Sequence, residues 1–280
     1  MRRLSSSLLA ATILASALLT SSAFAVVIRE DMWEYFGGTE DDPTAGFGPY
    51  LELAAEPQFA AVLTFAAYAD EDDSFGCSGT WLGNGQDGHA YILTAGHCVD
   101  RANRWTVYTD SGAALEAVDS FIQPNWNEDR YSADDVAILE LEGPITDSGE
   151  PPVLYSGSDE WGYFATLVGY GARGTSLQGE DRKFKDDGFK AAAQNMIDEP
   201  FEGQLSIDLD EPTDDESDED AIPVELEGTA GAGDSGGSLW IETDDGWRIA
   251  GIVSSGPAFA QVSYNLDFIL KIFPDALTGE

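Results

Sequence analysis

The chain of 280 residues holds only two histidines, the side chains best suited to move protons near neutral pH. One serine stands in a setting that would call on such a base. Ser235, in AGAGDSGGSLW (230–240), follows an aspartate and precedes two glycines. A serine hydroxyl is a weak nucleophile at its own pKa, so catalysis by Ser235 needs a neighbour that takes its proton. His89 lies in the turn-rich GNGQDGHAY (83–91) and reads as an exposed loop residue. His97 follows an apolar run in YILTAGHC (91–98) and adjoins Cys98, which can be tied to Cys77; a general base needs such fixed placement. In ADDVAILEL (133–141) the second of two aspartates, Asp135, leads straight into a buried run and is expected to be semi-buried. Singly, these residues read as a turn serine, a structural histidine and a strand-starting surface acid. Together they supply what acyl transfer requires: Ser235 attacks, His97 accepts and returns the proton, and Asp135 orients the imidazole and stabilises its cation.

The elements that must position them are mostly short strands. Apolar, β-branched or aromatic runs recur at 60–68, 77–83, 90–95, 104–109, 135–141, 165–171, 237–243 and 247–255, separated by Gly, Asp, Asn and Pro clusters. Such spacing predicts an all-β chain built as barrels or sandwiches. NLDFILKIF (265–273) has apolar residues at helical spacing and stops before Pro274, which predicts a terminal helix. Proline and acidic residues gather at 143–152, the expected boundary between an N-terminal half (26–150) and a C-terminal half (151–280).

Residues 1–25 carry Arg2 and Arg3, an apolar stretch and a closing Ala-Phe-Ala, the pattern of a secretory signal peptide cut before Val26. An exported chain, extracellular or periplasmic, with Cys77 and Cys98 as its only cysteines is expected to form one disulfide. Without Arg2 and Arg3, 11 basic residues face 52 acidic ones, a formal charge of −41 that makes nucleic acid an improbable partner. The balance resembles that of halophilic proteins, whose carboxylate surfaces stay soluble in salt; an ordinary acidic secreted protein is the alternative. Twelve acidic and no basic residues lie in 198–220. Their spacing does not match an EF-hand loop, so a solvated surface loop is expected rather than a metal site. No cofactor and no membrane association after signal cleavage is expected, and the protein should act as a monomer on protein or peptide substrates.

The stretches LTAGHC, DDVAIL and GDSGGSL, in that order, resemble the chymotrypsin-like (trypsin-like) serine endopeptidases, and the similarity runs from about Gln58 to the terminal helix. The resemblance implies two six-stranded antiparallel barrels with the His97–Asp135–Ser235 triad in the cleft between them. It implies an oxyanion hole from the backbone N–H groups of Gly233 and Ser235. Substrate would bind along Ser254, Ser255 and Gly256, with Thr229 at the base of the primary pocket, where a neutral residue argues against Lys or Arg selectivity. Gly96 replaces a commoner alanine, a change expected to be harmless, and Gly231 replaces a pocket cysteine. The resemblance further implies that a freed N-terminal ammonium pairs with Asp234. Val26 is the expected donor and Tyr35, in YFGGTED (35–41), the alternative. A non-catalytic binding protein on the same scaffold is the competing reading.

Overall fold

In the computed structural model the described residues are 26–71, 73–177, 179–180, 188–210 and 223–280. The signal peptide expected at 1–25 and residues 211–220 of the acidic run lie outside them. The chain opens with β1 (Val27–Ile28), α1 (Glu30–Tyr35) and α2 (Gly48–Ala54). The first barrel follows as β2 (Val62–Tyr68), β3 (Ser74–Asn84), β4 (Ala90–Thr94), the short α3 (His97–Asp100), β5 (Arg104–Tyr108), β6 (Ala114–Ile122) and β7 (Ala137–Leu141). The second half holds β8 (Val153–Tyr155), β9 (Phe164–Gly169), β10 (Gly174–Thr175), β11 (Gly179–Glu180), β12 (Ala191–Met196), β13 (Gln204–Ser206), β14 (Gly228–Thr229), β15 (Ser238–Thr243), β16 (Gly246–Ser255) and β17 (Ala258–Gln261). It ends in α4 (Val262–Ile272) and β18 (Leu277–Gly279).

The first six long strands close into a barrel in the order β2-β3-β4-β7-β6-β5, each pair antiparallel. Its interior is filled by Leu63, Phe65, Ile92, Val107, Ala137 and Leu139, all buried. Alternation along β2, apolar inward and half-buried outward, is the period-2 pattern that fixes this register. The second half is built on the path β12-β9-β15-β16-β17-β13, with β8 pairing β16 and β18 beside it. The chain therefore has the chymotrypsin fold, mostly β with a short C-terminal helix.

The segment before β2 packs on the second half although it precedes the first. Val27 pairs antiparallel with Thr229 and parallel with Gly174. Trp33, Phe47 and Tyr50 are buried in the same cluster as Leu167, Leu239 and Phe259. Each such side chain contributes about 1.5–3 kcal/mol by leaving water, which is enough to hold a strap with little regular structure.

Candidate active site

β4 carries the chain to Gly96 and places His97 at the first position of α3, 5% exposed. The His97 backbone N–H donates to Asp135 Oδ1 at 2.8 Å, and its Nδ1 lies 2.7 Å from Asp135 Oδ2. A carboxylate only accepts, so Nδ1 carries the proton and Nε2 is left as the bare, basic nitrogen. Asp135 is fully buried just ahead of β7 and also accepts from Ser254 Oγ at 2.5 Å. Its neighbour Asp134 points elsewhere: Oδ1 is buried without a hydrogen-bond partner among the described residues, and desolvation raises its pKa. Of the two adjacent acids, Asp135 alone meets the histidine.

Ser235 sits in the turn between β14 and β15. Gly233 and Gly236 have φ of +93° and +81°, a conformation that L side chains rarely adopt. At Gly236 a Cβ would also lie 2.0 Å from Thr94 Oγ1 and 2.3 Å from the Ser78 carbonyl, so this turn closes only with glycine there. The turn is tied across the two halves: Ser78 N–H donates to the Ser235 carbonyl at 2.9 Å and Gly236 N–H to the Val253 carbonyl at 2.8 Å. Cys77 and Cys98 form the expected disulfide. Cys98 Sγ lies 3.8 Å from His97 Nε2 and 3.6 Å from the Ser235 carbonyl oxygen, so histidine and serine flank one sulfur atom.

Behind the turn, Asp234 is fully buried, with Oδ1 accepting from Gly171 N–H at 2.8 Å and Oδ2 from Gly231 N–H at 3.1 Å. Arg173 is buried nearby; desolvation lowers its pKa, and the charge of Asp234 opposes that shift. Val26 is buried too, and its carbonyl accepts from Gly174 N–H at 3.3 Å, one residue beyond Arg173. Tyr35, by contrast, is 77% exposed and closes α1.

Thr229 is half-buried in β14, and its Oγ1 has no hydrogen-bond partner among the described residues. Ser255 and Gly256 lead through a tight turn into β17, where Ser255 pairs with Ala258. Residues 258–262, which could have brought another side chain toward the pocket, form β17 and the start of α4 and contribute no acid. The Gln261 amide instead donates to the buried Glu160 at 2.9 Å. Gly233 borders a cleft of about 590 Å³, walled by Phe75, Tyr170, Ala172 and Ala232 and reaching Cys77.

Two features escaped the sequence reading. Ser254 was expected only along the substrate edge, yet its hydroxyl also holds Asp135. Gly96 is not a neutral substitution, because a Cβ there would lie 3.0 Å from Asp135 Oδ1 and 3.2 Å from Trp126 Cδ2. No sequence signal marks either, since both depend on contacts between segments far apart in the chain.

A family model described as Trypsin matches residues 65–273. The chain belongs to the trypsin family. It is accordingly a serine-type endopeptidase, a hydrolase of protein or peptide substrates. Among solved structures, one titled HL collagenase is similar to the chain at 18% identity with a TM-score of 0.56, covering 79% of this chain and 96% of that one. At that identity the likeness speaks for the fold. A search of curated proteins finds no match to the chain. No described helix is long and apolar enough to cross a membrane.

Proposed function

We propose that the protein is a secreted serine endopeptidase that cleaves peptide bonds through an acyl-enzyme, with Ser235, His97 and Asp135 as its triad. The observation that carries this reading is the His97–Asp135 contact at 2.7 Å, which fixes the tautomer that leaves Nε2 basic beside the nucleophile turn. Ser235 Oγ bonds to the scissile carbonyl carbon as its proton passes to His97 Nε2. The carbonyl oxygen, now an oxyanion, receives the N–H groups of Gly233 and Ser235. Collapse breaks the C–N bond, and His97 returns the proton to the leaving amine. Water then repeats the sequence on the ester, with His97 again taking and returning a proton.

The acyl side of the substrate lies along Ser254, Ser255 and Gly256 with its side chain toward Thr229, and the leaving side occupies the cleft beyond Gly233. Neutral Thr229, with only alanine, phenylalanine and glutamine supplied by β17, supports cleavage after apolar or medium-sized neutral residues. A clear preference for Arg or Lys in a peptide library would contradict this.

The mature enzyme begins at Val26, whose ammonium pairs with Asp234. The burial of Val26 and its attachment beside Arg173 and Gly174 support this terminus, whereas Tyr35 would have to leave α1 to reach the same place. Signal peptidase then generates the active form directly. The protein works as a monomer, and its carboxylate excess suits a saline medium. Raising salt from 0.1 to 1 M shortens the Debye length from about 10 Å to about 3 Å, so the melting temperature should rise.

Stoichiometric labelling of Ser235 by an organofluorophosphonate, with loss of peptide hydrolysis, tests the proposal. Absence of labelling in a folded protein that begins at Val26 would contradict it.

A further inference from the structure

One buried hydroxyl holds the peptide group that lies between the two donors of the proposed oxyanion hole. Ser78 follows Cys77 in β3 and is fully buried. Its Oγ donates to the Gly233 carbonyl at 2.8 Å and accepts from the Tyr170 N–H at 2.9 Å. Its own N–H donates to the Ser235 carbonyl at 2.9 Å, and its carbonyl accepts from Thr94 Oγ1 at 2.8 Å. A single residue of the first barrel thus grips the nucleophile turn at both Gly233 and Ser235, the two residues whose N–H groups face the oxyanion.

The Gly233 N–H belongs to the 232–233 peptide and the Ser235 N–H to the 234–235 peptide, and the 233–234 peptide between them sets how the two converge. The preceding peptide is fixed because the Ala232 carbonyl accepts from Ala172 N–H at 3.0 Å. The following peptide is fixed at its oxygen by Ser78 Oγ, and among the described residues no other donor reaches that oxygen. Gly233 itself, at φ +93°, has no side chain with which to resist rotation. Without the Ser78 hydroxyl, the Gly233 carbonyl and the Tyr170 N–H would both lose this partner in a part-buried site, and a turn in that state relieves the cost by rotating. Other hydroxyls in the same interface lack this reach: Thr80 Oγ1 donates to Ser238 Oγ at 3.0 Å, which in turn accepts from Trp240 Nε1 at 2.7 Å, and neither bond touches the oxyanion peptides.

We propose that Ser78 is a positioning residue for the reaction, its hydroxyl clamping the Gly233 carbonyl, and with it the peptide between the two donors, so that the Gly233 and Ser235 N–H groups converge on the developing oxyanion. The proposal rests on the reading of Gly233 and Ser235 as the oxyanion hole. It also couples that hole to Tyr170, a wall of the leaving-side cleft.

The test compares the parent enzyme with Ser78→Ala, Ser78→Thr and Thr80→Ala, reading kcat and KM on a peptide amide and the affinity for a peptidyl trifluoromethyl ketone, whose adduct places an oxyanion in the hole. Ser78→Ala should lose about 10- to 100-fold in kcat, below or at the loss of a whole oxyanion donor, with KM within about twofold. Ketone affinity should fall in parallel. Ser78→Thr keeps the hydroxyl and should restore kcat to within about threefold of the parent, and Thr80→Ala should stay within about twofold. A kcat for Ser78→Ala equal to the parent, or a loss no larger than that of Thr80→Ala, overturns the proposal. If Ser78→Ala does not fold, a folded Ser78→Thr enzyme with tenfold lower kcat overturns it equally. A parent enzyme that labels at Ser235 and turns over while Ser78→Ala is unchanged sinks the clamp alone; a folded parent that neither labels nor turns over sinks the catalytic reading and the clamp together.

Discussion

The two halves hold their shares of the site in different ways. In the first, His97 and Asp135 are placed chiefly by the barrel: β4 and β7 are paired neighbours, Thr94 pairs with Ala137, and Asp135 accepts one hydrogen bond from the His97 backbone N–H and meets the ring at Nδ1. In the second, Ser235 rides on a glycine turn that draws its bonds from elsewhere, from Ser78 in the first barrel, from Val253, and from a buried Asp234 beside the N-terminal strap. The proposed acid–base pair is framed by a closed sheet, with one added hydrogen bond from Ser254 of the second half. The proposed nucleophile and its N–H groups depend on segments that arrive from far along the chain, so on this reading it is this half that processing at the N-terminus would govern.

The largest expected effect attacks both halves at the reacting atoms. Ser235→Ala or His97→Ala should lower turnover by about 10⁶, and Asp135→Asn by about 10⁴, with the fold retained. Asp134→Asn should have a minor effect, since Asp134 does not touch His97. Kinetics on the four folded variants check the assignment, and the reverse order for the two aspartates would break it.

A milder change probes the rigidity of the first half. Gly96→Ala puts a methyl against Asp135 Oδ1 and Trp126, so the carboxylate or the indole must give way. Turnover should fall by roughly tenfold, short of the loss of about 10² that follows a 1 Å displacement of a catalytic group. An unchanged kcat would mean that the pair tolerates movement and that the first half is less rigid than its closed barrel implies.

The smallest effect concerns the seat of the strap in the second half. Glu227 is fully buried two residues before Thr229, and burial pushes its pKa up to about 8, well above its ordinary 4.5. The folded protein therefore binds a proton at Glu227 that the unfolded chain releases. Stability from this group is complete below about pH 4.5 and is lost as pH rises toward 8 and beyond. The melting temperature should decline across that window, and Glu227→Gln should flatten the decline. Parallel pH dependence in both proteins would show that Glu227 does not control the seat.

Much of this was legible in the sequence because the motifs are local. LTAGHC, DDVAIL and GDSGGSL each contain the residue that matters and the backbone that holds it, and the period-2 runs placed β2, β4, β7, β15 and β16. Other elements carry no such signal. β6 bears Glu116 and Asp119 on a largely exposed strand, and β12 begins with three alanines that lack β-branched or aromatic character yet are wholly buried. The strap gives no periodic signal because its helices are short, and it is fixed by the pairing of β1 and by Trp33, Phe47 and Tyr50, which share a core cluster with residues more than a hundred positions away. The terminal helix begins at Val262 rather than Asn265, since the preceding strand runs straight into it. The Asp135 contact of Ser254, itself named only for the substrate edge, and the place of Ser78 were missed for the same reason: a hydroxyl's partner is invisible until the sheets are assembled.

The central claim is that the acid–base half is preformed while the nucleophile half waits for the Val26 terminus. It is tested most directly by the rate and stoichiometry of fluorophosphonate labelling at Ser235, measured on enzyme that begins at Val26 and on a variant with one extra alanine before it. The account predicts complete labelling of the first and labelling slowed by about 10²–10³ in the second, the cost of a misplaced oxyanion donor, with both proteins folded. Equal labelling of the two, or active enzyme whose sequence begins at Tyr35, would contradict it.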